Sequence, residues 1–265
     1  MKINNLIAKT LFDKRRSSFF WSLGIIAMSL FYALIYKSIG NNPDFTKALE
    51  STNTGIKSLI GSAEFFSTPA GFIHAEFFSL TMPIIFCILA IIIGSSLLSR
   101  EEESKTIELI LARPISRGKI IFQYFISLFI IITTLGFSVI VGLSLGRFSV
   151  SVFNLDLFIS FIASINLVLI ALAFGSLALL ISVLKPSRGT AGGIAGLYFI
   201  VSYIISTFGN QVSWLKFAKP FSLFKYYDSM NILQHNIKLS NFVILIIISI
   251  ICLVLSCKLI YSRDL

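Results

Sequence analysis

Long stretches without a single Asp, Glu, Lys, Arg or His alternate with short charged segments along the chain. Six of them stand out: Ser17 to Tyr36, Phe77 to Ser99, Ile120 to Gly146, Leu157 to Leu184, Gly189 to Leu215 and Leu239 to Cys257. They are 20, 23, 27, 28, 27 and 19 residues long. A helix rises about 1.5 Å per residue and a hydrocarbon core is about 30 Å thick, so about 20 residues suffice to cross it. Every stretch is long enough. The runs are continuous, as in Ile130-Ile131-Ile132 and Ile244 to Ile248, whereas a membrane barrel shows segments of about ten residues in alternation. The pattern therefore predicts an all-α polytopic membrane protein with six transmembrane helices, at about 17–36, 77–99, 120–146, 157–184, 189–208 and 239–257. These take up 144 of 265 positions if each stretch is counted whole. What remains is too short for a soluble domain, so residues 1–265 form a single transmembrane domain.

The segments between the stretches have patterns of their own. Ile3, Leu6, Ile7 and Leu11 recur at helical spacing, with Lys2, Lys9, Asp13 and Arg16 opposite them. This predicts an amphipathic interfacial helix over 1–16 that lies along a leaflet, with Lys2, Lys9, Arg15 and Arg16 at the headgroups. The alternative is a basic tail that only enforces topology. The apolar run behind Lys14-Arg15-Arg16 is too long for a signal peptide and lacks a small-x-small cleavage site, so it reads as a retained span.

The first outer loop, Lys37 to Glu76, carries the turn signals Asn41-Asn42-Pro43, Gly55, Gly61 and Thr68-Pro69-Ala70-Gly71. Before the last stretch, Trp214, Phe217, Phe221, Phe224, Tyr226 and Tyr227 gather with Pro220 and several lysines. Aromatic and Lys side chains belong at headgroup level, so this segment either dips into the outer leaflet or forms a plain aromatic belt. The loop between the second and third stretches holds Arg100, Glu101, Glu102, Glu103, Lys105, Glu108, Arg113, Arg117 and Lys119. Glu101 and Lys105 form an i,i+4 pair, Thr106 to Ala112 is a good helix ending before Pro114, and Ile107, Ile110 and Leu111 line one face. A short helix with one apolar stripe among charges is a docking element, unless it is only a solvated loop.

Composition sharpens this reading. The chain is 56% hydrophobic and 13% charged, against about 45–50% and about 25% in soluble domains. The net charge of +10 has to be divided between the two sides of a membrane. Lys and Arg number 14 on the side of the N-terminus, the second and fourth loops and the tail, against 8 on the other. That predicts the plasma membrane with both termini cytoplasmic, and a basic surface that meets anionic lipid rather than nucleic acid. Cys87, Cys252 and Cys257 lie inside spans without metal or disulfide spacing. His74 and His235 lie in outer loops, so neither a metal site nor a base for Ser138 of Gly136-Phe137-Ser138-Val139 is expected at membrane depth.

There is no G-x-x-x-x-G-K-[ST] motif and no G-x-G-x-x-G after a strand, so any nucleotide binds elsewhere. The spans lack ionisable residues, which disfavours an ion-coupled carrier. Asn166 near the middle of span four is their strongest polar group and bonds either a neighbouring helix or a ligand. Gln123 sits near an end of span three, and Pro83 marks a kink in span two. Gly189, Gly192, Gly193 and Gly196 make span five a packing or dimer element.

At the second loop the chain meets a family pattern. Thr68-Pro69-Ala70-Gly71-Phe72, the second span, and then Arg100-Glu101-Glu102-Glu103-Ser104-Lys105-Thr106-Ile107-Glu108-Leu109-Ile110-Leu111-Ala112-Arg113-Pro114-Ile115-Ser116-Arg117 resemble the permeases of type-2 ABC exporters. Ser104-Lys105 stand where many members carry a glycine. The resemblance implies a connecting helix on the inner leaflet, a cytoplasmic coupling helix between spans two and three, and a re-entrant segment before span six. It makes Glu101, Glu102, Glu103, Thr106, Glu108, Leu109, Arg113, Pro114 and Arg117 the region that couples to an ATPase.

It further implies two copies of an ABC ATPase subunit, which would bind the ATP and Mg, and a second permease copy or homologous permease. This chain itself would bind no cofactor and catalyse no bond change. The cargo would be amphipathic or hydrophobic: a peptide, a drug or a lipid-like molecule. The rival readings are an autonomous channel or secondary carrier, and an intramembrane enzyme acting through Ser138 or Asn166.

Overall fold

The computed structural model describes residues 6–39, 65, 68–103, 116–184, 187–209 and 213–262. Among these, six helices are long and apolar enough to cross a membrane, and the chain is a multi-pass membrane protein. Span one is Leu6–Ile39, span two Met82–Glu103, span three Arg117–Ser149, span four Leu157–Leu184, span five Arg188–Phe208 and span six Leu239–Leu259. Consecutive spans run in opposite directions. One end of the bundle, here called proximal, gathers Leu6, Glu103, Arg117, Leu184, Arg188 and Leu259. The distal end carries the other termini of the spans.

Three of these helices differ from the uncharged stretches in informative ways. Span one is a single unbroken helix of 34 residues, about 51 Å long. The amphipathic residues therefore continue straight into the apolar ones. Span two is entered early, because Thr68 and Pro69 start a helix rather than a turn. Thr68 Oγ1 accepts from the Gly71 amide at 3.1 Å and donates to the Phe65 carbonyl at 2.6 Å. Pro69 takes the first helical position, where a missing N–H costs nothing. The short helix Pro69–Ile73 then widens into a π-helix over His74–Thr81 before span two proper.

Pro83 supplies a physical reason for the widening. Its ring lacks an amide proton and crowds the carbonyl of Ser79, four residues back, and a wider turn relieves that clash. The carbonyls of this segment find other partners. Thr81 Oγ1 donates to the Glu76 carbonyl at 2.7 Å, and the Tyr227 hydroxyl donates to the Phe78 carbonyl at 2.7 Å.

The core lies among spans two, three and four, and span four is the most enclosed of the six. Backbone contact sets the closeness of spans two and four: a Cβ on Gly94 would collide with the Gly175 carbonyl. Spans one and three meet the same way, since Cβ atoms on Gly142 and Gly146 would run into Ser29 and Ala33. Small residues four apart on facing helices permit this approach. Buried hydroxyls are mostly satisfied within their own helices, as for Ser29 on the Ile25 carbonyl and Ser164 on the Ser160 carbonyl.

Between spans five and six the chain turns back toward the bundle. Two 3-10 segments, Ser213–Phe221 and Leu223–Tyr226, and the short helix Ser229–Leu233 pack on the π-helix and on spans four, five and six. Ser222 Oγ donates to the Ser202 carbonyl at 2.7 Å, Ser202 Oγ accepts from the Leu223 amide at 3.0 Å, and the Tyr198 hydroxyl donates to the Phe221 carbonyl at 2.7 Å. The Phe224 ring meets Phe174, Phe199 and Tyr203 at centroid distances of 5.7, 5.6 and 5.2 Å. Asn166 Oδ1 accepts from the Asp228 amide at 3.2 Å. Asn166 lies nine residues inside span four, about 14 Å along the helix.

Candidate functional site

Two regions concentrate polar chemistry, one at each end of the bundle. At the proximal end, the residues flanking the second loop are tied to neighbouring spans. Glu101 and Lys9 form an ion pair at 2.7 Å. Glu103 Oε1 accepts from the Arg188 amide, the first of span five, at 3.2 Å. Across the loop, Arg117 donates to the Ile260 carbonyl at 3.4 Å, and the Gly118 amide donates to the Tyr261 hydroxyl at 3.3 Å. Cys257 adds a weak S–H contact to the Gly118 carbonyl at 3.5 Å. The five ties bind span two to spans one and five, and span three to the end of span six.

Of the residues expected here, Glu101, Glu102 and Glu103 close span two and Arg117 opens span three. Thr106, Glu108, Leu109, Arg113 and Pro114 lie outside the described residues, as does Lys2. Lys9, Arg15 and Arg16 are on the proximal turns of span one, where the Arg15 guanidinium sits 3.7 Å from the centre of the Phe12 ring. Lys9 and Glu101 are 92 positions apart, and only helix packing brings them together.

At the distal end, the π-helix, span five and the returning segment line a half-open cavity of about 210 Å³. Its wall carries His74, Ser79, Tyr203, Ser206, Thr207, Phe224, Tyr227, Asp228, Ser229 and Met230. His74 is buried, and its Nδ1 shares a hydrogen bond of 3.1 Å with Ser229 Oγ. Asp228 Oδ1 accepts from the Asn231 amide at 3.3 Å and Oδ2 from the Asn231 side-chain amide at 2.6 Å. Behind the wall, Asn166 uses its Oδ1 on the Asp228 backbone, while its Nδ2 is buried without a hydrogen-bond partner.

This cavity was not foreseen from the sequence, which treated His74 as a lone loop residue. A signal was there: Tyr203, Ser206 and Thr207 stand at i, i+3 and i+4 and so share one face of span five. The companion polar run, Asp228-Ser229, was hidden among aromatics. Ser138 has no such setting, because its hydroxyl donates to the Thr134 carbonyl of its own helix at 3.1 Å.

Comparison with protein families finds a match to the model described as "ABC-2 family transporter protein", and it extends over residues 4–265. The chain belongs to the ABC-2 transporter family. Nearly the whole length is matched, so the six spans together are a permease domain of that family, with a general role in transport. Comparison with curated proteins finds no match.

Proposed function

We propose that this ABC-2 family member is the permease subunit of an ATP-driven exporter. It would form the transmembrane pathway for an amphipathic or hydrophobic cargo, such as a peptide, drug or lipid-like molecule. It works in the plasma membrane as a pair, with a second copy or homologous permease, on two copies of a separate ATPase subunit that bind ATP and Mg. Both termini face the cytoplasm, which makes the proximal end cytoplasmic. Residues 1–16 supply the interfacial segment, of which 6–16 are the first turns of the same helix as span one; 100–117 act as the coupling loop, and the segment after Ser213 as the re-entrant element.

The observation that carries this reading is the set of ties around the second loop. A force on residues 104–115 reaches the ends of spans two and three. From there the Glu101–Lys9 and Glu103–Arg188 contacts pass it to spans one and five, and the Arg117 and Gly118 contacts pass it to span six. Closure of an ATPase dimer against the loop would thus bias all of these spans between two arrangements. The re-entrant assignment is supported by the depth of the Asp228–Asn166 and Phe224–Phe174 contacts.

The test is a double substitution, Glu108→Ala with Leu109→Asp, in the chain expressed with its native neighbours. Membrane insertion should be unchanged, and co-purification of a nucleotide-hydrolysing subunit should fall at least about tenfold, as expected when a buried anchor is lost from an interface. Retained association and transport would overturn the coupling assignment. A chain that purifies alone and transports by itself would overturn the permease reading.

A further inference from the structure

The distal cavity has the chemistry of a site for an organic cation. Its one carboxylate, Asp228, keeps acceptor capacity after the two bonds from Asn231, since an ionised carboxylate offers about four lone-pair positions. The described cavity wall carries no Lys or Arg, and neither the Lys9–Glu101 nor the Asp156–His235 contact involves Asp228. Around it stand three aromatic rings in successive edge-to-face contact: Tyr203 on Phe224 at 5.2 Å and 85°, and Phe224 on Tyr227 at 6.1 Å and 89°. Ring faces attract ammonium groups, most strongly where water is excluded. The hydroxyls of Ser79, Ser206, Thr207 and Ser229 complete a wall able to accept N–H donors.

The Asp228 carboxylate is held in place from behind. Its backbone amide is fixed by Asn166, and the Tyr227 hydroxyl is anchored on the Phe78 carbonyl of the π-helix, a distortion that recurs at functional sites. The volume limits what can enter. At about 210 Å³ the cavity is smaller than the roughly 300–1,000 Å³ of sites that enclose a whole drug-sized ligand. It therefore suits a headgroup whose apolar remainder stays outside. We infer that the cavity formed by span five, the π-helix and the Tyr227-Asp228-Ser229 turn binds the ammonium headgroup of an amphiphile.

This deepens the permease reading and rests on it for the role of the site in transport. Two sources offer the same chemistry: a transported cationic amphiphile, or the ethanolamine headgroup of a membrane lipid.

The experiment uses the full chain in phosphatidylglycerol nanodiscs at pH 8, where an ordinary imidazole is uncharged. The probe is rhodamine 6G, a fluorescent amphipathic cation, read by anisotropy against empty discs. Saturable binding is expected, displaced by dodecyltrimethylammonium and not by the uncharged dodecyl maltoside. Asp228→Asn, which keeps the shape, should weaken binding about tenfold or more. Tyr203→Leu, which leaves the carboxylate intact, should weaken it several-fold.

Adding phosphatidylethanolamine separates the sources. Competition assigns the site to a lipid headgroup, and its absence assigns it to cargo; either supports ammonium recognition. Equal binding by the wild type and both variants, or equal displacement by the uncharged detergent, overturns the proposal. Binding to the isolated permease needs no ATPase. A failure here therefore leaves the coupling assignment standing, and loss of ATPase association leaves this site standing.

Discussion

Asp156 closes the distal entrance to span four. Its Oδ1 accepts from the Phe158 amide at 2.9 Å and from the Ile159 amide at 3.4 Å, which caps two of the orphan donors at the start of the helix. His235 Nε2 approaches Oδ2 at 3.4 Å. Slight burial raises the carboxyl's pKa, but the two amides and the imidazole outweigh it and hold the value below the ordinary 3.8. A depressed carboxylate contributes stability that is whole above its unfolded pKa and is lost as pH falls through the folded one. Asp156→Ala should therefore lower the thermal midpoint at neutral pH by an amount equivalent to about 1 kcal/mol. Below about pH 5, where an ordinary imidazole is protonated, the gap between variant and wild type should stay constant down to the ordinary carboxylate range and close below it. Melting curves from about pH 5 to about pH 3 check this, and a gap that widened over that range would sink it. His235 reaches Asp156 from the left-handed region, with φ of 66°. The bonds His235 N to the Ile232 carbonyl, 2.9 Å, and Asn236 N to the Asn231 carbonyl, 2.7 Å, close the preceding short helix there.

Among the elements, the apolar runs located six spans to within a few residues at most ends, because the length needed to cross a bilayer and the absence of charge are both written in the chain. Thr68-Pro69-Ala70-Gly71 read as a turn because Ser/Thr-Pro signals serve turns and helix starts alike, and only the Thr68 bond to the Gly71 amide decides between them. Gly192 and Gly196 drew attention by their spacing, yet Gly196 meets nothing within reach while Gly192 touches Ser95. The closest approaches between spans are at Gly94, Gly136, Gly142, Gly146 and Gly175, whose significance depends on which helix lies opposite. That is set by packing and not by sequence periodicity. Gly94→Val should force spans two and four apart against a backbone carbonyl and cost about 1–3 kcal/mol. Gly193→Val, with open space around its Cβ, should change protomer stability little. Comparative unfolding in mild detergent checks the pair, and equal losses would refute the backbone contact as the constraint.

For the whole molecule, the distribution of burial is as telling as the core. Spans one, five and six are mostly uncovered, and span five is the least apolar of the six helices. Lipid is a sufficient cover for span six, which is the most apolar, but a poor one for a helix that presents Gly193 and Gly196 with open space at both positions. Burying small residues against another helix returns packing that lipid chains do not supply. The second permease copy in the proposed pair accordingly belongs on span five, with the distal cavity beside the junction. The prediction can be read by cross-linking in a background where Cys87, Cys252 and Cys257 are replaced by Ala. Leu197 on span five and Phe137 on span three are equally exposed, at 64% and 63%, so exposure alone gives them the same chance of meeting a copy. Leu197→Cys should form a covalent dimer in native membranes under mild oxidation, and Phe137→Cys, facing lipid, should not. A dimer trapped through Phe137→Cys in place of Leu197→Cys would move the interface to spans three and four and leave span five facing the bilayer.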